Sequence, residues 1–321
     1  MDITTLKSKN FLIPGLISLI LLIALATLPF YVSLYMVILM TAILMYTILT
    51  VSWALFSGPT GYTSLASAAF FGVGIYTSAI LLPNTGAVLP LLVVVALGGL
   101  ISFIVALLIG ALTLRLRGIY FAIFTFGLVE LIKQLLIFWE INITGTRGRF
   151  IALVDNHHIF WIMLGIFVLL MLTTYFLRRS KFGLALQSIG ENEEAAAHRG
   201  VNITMVKVIT FAISAFFMGT VGAIMATRWT YIDPYIAFNA LFSFLPILMA
   251  IFGGMGQIYG PVIGAVVFAY LEEVLLTKFP YYYMLIFGIA LVAVILFLPN
   301  GLVGLVQRLW RRRLRGQNAS T

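Results

Sequence analysis

Long apolar runs alternate with short polar segments along the whole chain. A transmembrane helix needs about 20 mainly apolar residues, and each run is close to that length. The runs cover residues 11–30, 32–56, 62–82, 88–114, 119–139, 159–177, 208–227, 236–252, 258–276 and 282–298. The pattern therefore predicts an all-α polytopic membrane protein with about ten transmembrane helices.

The composition excludes a water-soluble globular protein. The 321 residues are 62% hydrophobic and only 9% charged, whereas about a quarter of the residues of a soluble domain are charged. About ten spans use most of this length, so we expect residues 1–321 to form one transmembrane domain. The chain has no Cys, which excludes a disulfide framework, thiolate catalysis and Cys-ligated metal sites.

The basic residues predict the orientation of the helices. The formal net charge is +9, and Lys and Arg favour cytoplasmic loops. Ten spans place the four main basic clusters on one side, so both termini should be cytoplasmic, as should the polar loop at about 178–207 and the basic tail at about 305–321. The positive charge thus indicates topology rather than binding to nucleic acid.

The N-terminus allows a second interpretation. Basic residues, an apolar stretch and Ala24-Leu25-Ala26 resemble a cleavable signal peptide. Apolar sequence continues beyond that site into the next span, which favours a retained first helix. Cleavage would leave every later span in place.

Two segments are unsuited to a regular transmembrane helix. Residues 57–64 contain two Gly, one Pro and four Ser or Thr hydroxyls, and Gly253, Gly254 and Gly256 interrupt the sequence between two apolar runs. Irregular backbone at membrane depth must be buried in protein or line a wet cavity. Each break is a candidate for the wall of a substrate path, and a loop or kink at the interface is an equally good interpretation. Gly256, Gly260 and Gly264 recur every four residues, which favours close helix packing.

Glu130 and Lys133 are the ionisable residues that lie well inside a predicted span. A lone charge at the bilayer centre costs about 2.5–3.5 kcal/mol on insertion scales. The two side chains are three residues apart on one helix face and can pair. They belong either to the wall of a polar path or to a structural ion pair, and the sequence weighs these hypotheses equally.

Motifs for catalysis are missing from the sequence. It contains no P-loop and no common zinc-hydrolase or serine-hydrolase motif, so we expect no catalytic residue, cofactor or metal, and any ATP must be hydrolysed by a partner. His157 and His158 lie near Asp155; a solvated loop pair is favoured there over a metal site.

The 178–207 loop is the longest polar stretch between apolar runs. Its composition predicts two short helices joined at Gly190, with Glu191, Glu193 and Glu194 near the start of the second helix. Gly200 should end that helix. Such a pair could lie on the membrane surface and bind another protein, although a solvated loop has the same composition.

The same loop resembles a known family. Glu194, Ala195, Ala196 and Gly200 match the E-A-A-x-x-x-G signature of bacterial ABC-importer permeases, and residues 180–193 are similar to the S-x-F-G-R-A-L-x-A-I-R-E-N-E run of the LivM-type permeases of branched-chain amino acid importers. Similar motifs lie in the same order at residues 58–72, 120–130, 144–145 and 253–265. The resemblance extends from about Trp53 to Gly301.

The resemblance implies a permease subunit of an ABC importer in the bacterial inner membrane. Its partners would be a second homologous permease, two cytoplasmic ATPase subunits, an outer solute-binding protein and membrane lipid. The 178–207 loop would dock on the ATPase, and the two broken segments would flank the substrate path. A zwitterionic amino acid needs hydroxyls to replace water and apolar walls for its side chain, which suggests that the path is lined by Thr60, Ser64, Phe70 and Phe71.

Alternative functions stay open at this point. Within the same class, the substrate could be urea, a short amide or another amino acid. In a different class, the chain could be a secondary carrier, although proton-coupled carriers usually bury more titratable groups along their route than this sequence offers.

Overall fold

The computed structural model describes residues 22–83 and 89–282, with single positions between 285 and 304. The first predicted span and the last one fall largely outside these residues, and the basic tail at 305–321 falls wholly outside them. The question of signal-peptide cleavage concerns the same N-terminal segment.

The described residues form α-helices joined by short connections, with one small β-sheet. The helices are α1 (Leu34–Thr60), α2 (Ser67–Leu81), α3 (Leu91–Thr113), α4 (Ile119–Trp139), α5 (Asn156–Arg179), α6 (Lys181–Glu191), α7 (Glu193–His198), α8 (Ile203–Ala226), α9 (Pro234–Ala237), α10 (Leu241–Gly253) and α11 (Tyr259–Lys278). A 3-10 turn at Leu28–Phe30 precedes α1, and a π-helical turn at Glu140–Thr144 continues α4.

Seven of the described helical stretches are long and apolar enough to cross a membrane, judged by length and composition. The shorter apolar helix α2 accompanies them. The all-α polytopic membrane fold predicted from the hydrophobic pattern is therefore confirmed. The total of about ten spans and the cytoplasmic position of both termini stay predictions.

Helix α8 forms the centre of the bundle, where it packs against α2 and α3. Glycines permit this packing: a Cβ atom at Gly74 would collide with the carbonyl oxygen of Gly219, and one at Gly222 with that of Phe71. Backbones that touch in this way gain van der Waals contact along their whole length. In the most apolar 18-residue segment of α8, 83% of the residues are buried.

The first break lies further along the chain than the sequence suggested. Helix α1 continues through Pro59 to Thr60, and non-helical backbone occupies 61–66 before α2 begins at Ser67. Pro59 removes only one donor from the last turn of the helix. Gly61 ends the helix, because its φ of 71° is a left-handed conformation that favours glycine. The second break agrees with the sequence, since α10 ends at Gly253 and α11 begins at Tyr259.

The sheet and the α6–α7 pair lie at opposite ends of the bundle. Strands β1 (Arg149–Phe150) and β2 (Tyr231–Ile232) pair antiparallel, with Arg149 opposite Ile232. Helix α5 begins soon after β1 and ends just before α6, so one long helix separates the two features. We refer to them as the β end and the α6–α7 end.

Candidate functional site: the Glu193 cluster and the broken segments

The 178–207 loop contains two capped helices. Ser180 Oγ accepts a hydrogen bond from Gly183 N (3.2 Å) at the start of α6, and Asn192 Oδ1 accepts one from Ala195 N (3.0 Å) at the start of α7. The helices join at Asn192, so the predicted junction at Gly190 is two residues too early. Asn192 is extended, with φ of −158°, and this conformation separates the helices. Gly200, with φ of 83°, follows the end of α7 as predicted.

Helix α6 packs on the last turn of α1. A Cβ atom at Gly190 would collide with the carbonyl oxygen of Pro59, so the glycine lets the two backbones touch. The loop is therefore in direct contact with the helix that leads into the first break. This contact explains why Gly190 is inside a helix, although glycine is a poor helix former.

The outer face of the loop is exposed. Glu191, Glu194, Ala195 and Gly200 are exposed, whereas Ala196 is buried. Ala196 belongs to a small apolar cluster with Leu186, Ile189 and Val206. The cluster anchors the helix pair to the bundle and leaves the acidic face available.

Glu193 points inward and joins three separate elements. Its Oε1 accepts a hydrogen bond from Lys207 Nζ on α8 (2.7 Å), and its Oε2 accepts one from the hydroxyl of Tyr62 in the first break (2.8 Å). Arg117, between α3 and α4, approaches the same Oε2 at 3.5 Å. Lys207 Nζ also donates to the Tyr62 hydroxyl (3.1 Å) and to the carbonyl oxygen of Leu114 (3.0 Å). We call these five residues the Glu193 cluster.

The Glu193 cluster is shielded from solvent at its centre. The Lys207 side chain is 3% exposed and that of Glu193 is 15% exposed, whereas Arg117 is largely exposed. Burial alone would raise the pKa of the Glu193 carboxyl, but hydrogen bonds from Lys207 and Tyr62 outweigh it and hold this pKa below its ordinary value. Burial and the bond to Glu193 raise the pKa of Tyr62 to about 12. At neutral pH Glu193 is thus a carboxylate and Tyr62 a neutral phenol.

Side chains from the surrounding helices bind the backbone of the first break. Trp53 Nε1 donates to the carbonyl oxygen of Ser64 (2.8 Å), and Thr125 Oγ1 accepts from Leu65 N (3.0 Å). Ser243 Oγ donates to the carbonyl oxygen of Leu65 (2.7 Å). Helices α1, α4 and α10 therefore satisfy three backbone polar groups of 61–66 that have no helical partner.

The two breaks lie side by side at the α6–α7 end. A Cβ atom at Gly58 would lie 4.0 Å from the carbonyl oxygen of Met255. A cavity of about 190 Å³ separates this junction from α6, and its lining includes Pro59, Gln187 and Gly256. The loop, the end of α1 and the second break thus enclose one space.

The predicted path-lining residues near the first break are buried in this conformation. Thr60 Oγ1 donates to the carbonyl oxygen of Phe56 (2.6 Å). Phe70 packs edge-on against Phe211, and Phe71 packs on Phe242. Ser64 borders a cavity of only about 10 Å³, whose other hydroxyl-bearing residues are Ser57, Ser67 and Ser214. These side chains therefore face protein and no open channel.

The glycines of the second break have different surroundings. Cβ atoms at Gly253 and Gly260 would collide with the carbonyl oxygens of Gly260 and Gly254, and one at Gly264 with that of Met249. The start of α11 thus lies directly on the end of α10. Gly256 has open space around it and borders the cavity near α6.

Glu130 and Lys133 form an ion pair with 2.6 Å between Oε1 and Nζ. The Glu130 side chain is 42% exposed and that of Lys133 is 13% exposed. Lys133 Nζ also lies 5.6 Å from the centre of the Tyr235 ring on α9. The pair makes none of the contacts of the Glu193 cluster and lies beside α9.

Sequence reasoning missed Tyr62, Lys207 and Leu114 as partners of Glu193. Lys207 interrupts the apolar start of α8, and that interruption was the one sequence signal available. Glu140 was also missed: it is fully buried near the β end, where it accepts hydrogen bonds from Tyr76 Oη (3.1 Å) and Gly148 N (3.0 Å).

The sequence is similar to known permeases. A family model described as the permease component of the branched-chain amino acid transport system matches residues 35–295. The high-affinity branched-chain amino acid transport system permease protein LivM of Salmonella typhimurium is 28% identical over 94% of this chain and 76% of its own length, and LivM of Escherichia coli is 27% identical over the same shares. LivH of Salmonella typhimurium is 28% identical over 50% of this chain and 52% of its own length. No solved structure matches the chain.

Proposed function

This chain belongs to the family of permease components of branched-chain amino acid transport systems, and we propose that it is one of two permease subunits of an ATP-driven importer. The proposed cargo is a branched-chain amino acid, which is what the names of its LivM and LivH relatives state. The proposed location is the bacterial inner membrane. Two cytoplasmic ATPase subunits, a second homologous permease and an outer solute-binding protein complete the assembly.

The observation that carries the proposal is the construction of the 178–207 loop. Its outer face presents Glu191, Glu194, Ala195 and Gly200 to solvent, while Glu193 reaches back into the bundle. A loop that only connected two helices would not need a buried ion pair with α8. A loop that is pushed by a partner needs such a rigid attachment.

The contacts of the loop suggest how ATP hydrolysis on the partner moves the permease. Gly190 bears on the end of α1, and Glu193 holds both Tyr62 of the first break and Lys207 at the start of α8. A displacement of the loop therefore acts on the break and on the central helix together. Packed helices respond to such a displacement by small shifts between discrete arrangements.

The substrate path is proposed to run beside the two breaks, between this chain and the second permease. The candidate lining is Thr60, Ser64, Phe70, Phe71, Gly253, Gly254 and Gly256. In the present conformation most of these residues are closed over by neighbouring side chains. The path would open when the loop moves, since the loop contacts the end of α1 and shares a cavity with Gly256.

Transport in reconstituted vesicles tests the proposal. The complete importer is placed in vesicles with ATP on the ATPase side, and the binding protein is supplied on the other side with leucine, isoleucine, valine, urea, a short amide or a basic amino acid. We expect ATP-dependent uptake of leucine, isoleucine and valine. Uptake of another solute alone would refute the branched-chain substrate, and uptake driven by an ion gradient without ATP would refute the importer class.

A further inference from the structure

One face of α4 is neither packed like a protein core nor apolar like a lipid-facing surface. At 100° per residue, Phe126, Glu130, Lys133 and Ile137 fall on one face of the helix. All four are partly buried. We call this face the α4 strip. The packed face of α4 carries Phe121, Thr125 and Val129 instead.

The exposed carboxylate on this strip lies at mid-membrane depth. Glu130 is about 16 Å along the axis from Ile119, at 1.5 Å per residue, in a 26-residue apolar stretch that ends at Thr144. A charged side chain that faced lipid at this depth would be costly, and such residues almost always face a bundle interior or a water-filled cavity. Glu130 is 42% exposed in the isolated chain. The strip is therefore covered by water or by another subunit in the membrane.

Charges of both signs continue from the strip to the β end, with the two cations on either side of the Tyr235 ring. Lys133 Nζ lies 5.6 Å from the Tyr235 ring centre, and the guanidinium of Arg147 lies 4.7 Å from the same ring. Arg147 Nη2 is 3.9 Å from Asp233 Oδ2. The order along the surface is thus carboxylate, ammonium, aromatic ring, guanidinium and carboxylate. Tyr235 is 50% exposed, so the ring between the two cations is accessible.

The backbone holds this arrangement in place at the β end. Tyr231 Oη donates to the carbonyl oxygen of Arg147 (2.7 Å), and Asp233 Oδ1 accepts from Ile236 N (2.8 Å). On α4, Phe126 packs on Phe244 of α10 with 5.6 Å between ring centres. The charged groups are therefore presented by fixed elements.

We propose that the α4 strip and Tyr235 line a water-filled part of the substrate path and pair with both charged ends of a zwitterionic amino acid. As the substrate moves along the surface, its ammonium would bind Glu130 at one end and Asp233 at the other. Its carboxylate would bind Lys133 and Arg147, which lie between them. The Tyr235 ring offers an apolar surface to an aliphatic side chain. Each end of this surface has one carboxylate and one cation. The ammonium and the carboxylate of a zwitterion therefore both have a partner along the whole surface. This inference rests on the proposed import of amino acids and names the residues that recognise their charged ends.

Exchanging the charges of the ion pair tests whether Glu130 and Lys133 line the substrate path or only stabilise the fold. The double variant Glu130→Lys with Lys133→Glu keeps a pair three residues apart on the same helix, so the variant should assemble in normal amounts. It places a carboxylate where Lys133 faces Arg147 across the Tyr235 ring, so the substrate carboxylate loses one of its two cations there. We expect transport of leucine by the reconstituted importer to fall by about tenfold or more, the effect of one lost charge-assisted hydrogen bond.

Thiol labelling tests the water-filled surface without reference to any substrate. The chain has no Cys, so Ile137→Cys on the strip and Leu135→Cys on the opposite, exposed face of α4 form a matched pair. A water-soluble thiol reagent should modify Ile137→Cys in the assembled importer during ATP turnover, while Leu135→Cys in lipid stays unmodified. Leucine on the binding protein should slow the modification.

Two results would overturn the proposal. One is modification of Ile137→Cys no faster than that of Leu135→Cys, and the other is wild-type transport by the charge-exchanged variant. Failure of the proposed function would look different: the unmodified importer would then take up no branched-chain amino acid at all, whatever the labelling pattern.

Discussion

Replacing Glu193 by Gln removes the carboxylate from the Glu193 cluster and keeps the shape of the side chain. Lys207 then loses its 2.7 Å bond to a carboxylate and keeps the Tyr62 hydroxyl and the Leu114 carbonyl as acceptors. Hydrogen bonds to charged groups contribute about 1.5–3 kcal/mol, and breaking a buried ion pair costs about 3–5 kcal/mol.

The expected cost is near the lower end of this range. Glu193 is 15% exposed and Lys207 retains two acceptors, so we expect about 2 kcal/mol. This corresponds to about a 30-fold shift between the attached and detached states of the loop. The importer should then hydrolyse ATP with much less transport for each ATP consumed.

A double-mutant cycle in reconstituted importers measures this coupling. The variants are Glu193→Gln, Lys207→Met and the double variant, and the readouts are transported leucine per ATP hydrolysed and thermal stability of the purified permease. The double variant should cost less than the sum of the single ones, because it leaves no unpaired charge. Glu194→Gln is the matched control: its side chain is 80% exposed and 3.9 Å from Arg117, so it should change stability by less than about 0.5 kcal/mol. Because Glu194 lies on the proposed docking face, the comparison uses stability alone: if Glu193→Gln loses no more stability than Glu194→Gln, the cluster does not attach the loop.

The same cluster should be insensitive to pH over a wide range. The pKa of Glu193 is lowered, so its contribution is fully present above the ordinary value of 4.5 and is lost as the pH falls through the folded-state pKa. The pKa of Tyr62 is raised to about 12, so its contribution is fully present below the ordinary value of 10.0 and is lost as the pH rises towards 12. The difference between Glu193→Gln and the wild type should therefore be constant from about pH 5 to pH 10.

Gly190→Ala should uncouple ATP hydrolysis from transport, because its Cβ would collide with the Pro59 carbonyl; Gly127→Ala on α4, with open space, should not, and equal activity of the two would contradict the contact. Gly200→Val should cost about 1–2 kcal/mol through its positive φ and weaken coupling more than assembly, as transport per ATP against complex yield will measure. Ser64→Trp should block import at unchanged binding-protein affinity, and wild-type uptake would remove Ser64 from the path. A Cys at Asn192 should resist an impermeant thiol reagent in intact cells and react after permeabilisation; labelling before permeabilisation would reverse the topology.

The membrane fold was predictable because it depends on local sequence. Apolar runs mark the helices, and glycines that take positive φ mark the ends of α1 and α7, as at Gly61 and Gly200. The predicted junction between α6 and α7 is wrong, because Gly190 does not break the helix. Gly190 instead lets α6 touch Pro59, which is a tertiary contact.

The Glu193 cluster was beyond sequence reasoning because its members are far apart in the chain. Tyr62 and Glu193 are separated by 131 positions, and Lys207 and Leu114 by 93. Composition marks Glu193 as a helix-start residue, which it also is. Lys207, near the start of α8, reaches Glu193 of the loop because α8 packs against α2 and α3. Similarly, the exposure of Glu130 depends on which surface of α4 the other helices leave uncovered.

The glycine contacts of α8 predict which missense mutations abolish transport. Every missense change of a glycine codon adds at least a Cβ atom, and at Gly74, Gly98, Gly219 and Gly222 that atom would meet the main chain or side chains of the neighbouring helix. No missense change at such a codon avoids this collision, whereas a leucine on the lipid face can become isoleucine or valine with little effect. Random mutagenesis with selection for lost uptake should therefore return these four codons repeatedly, although none of them carries a charge or belongs to the proposed path lining.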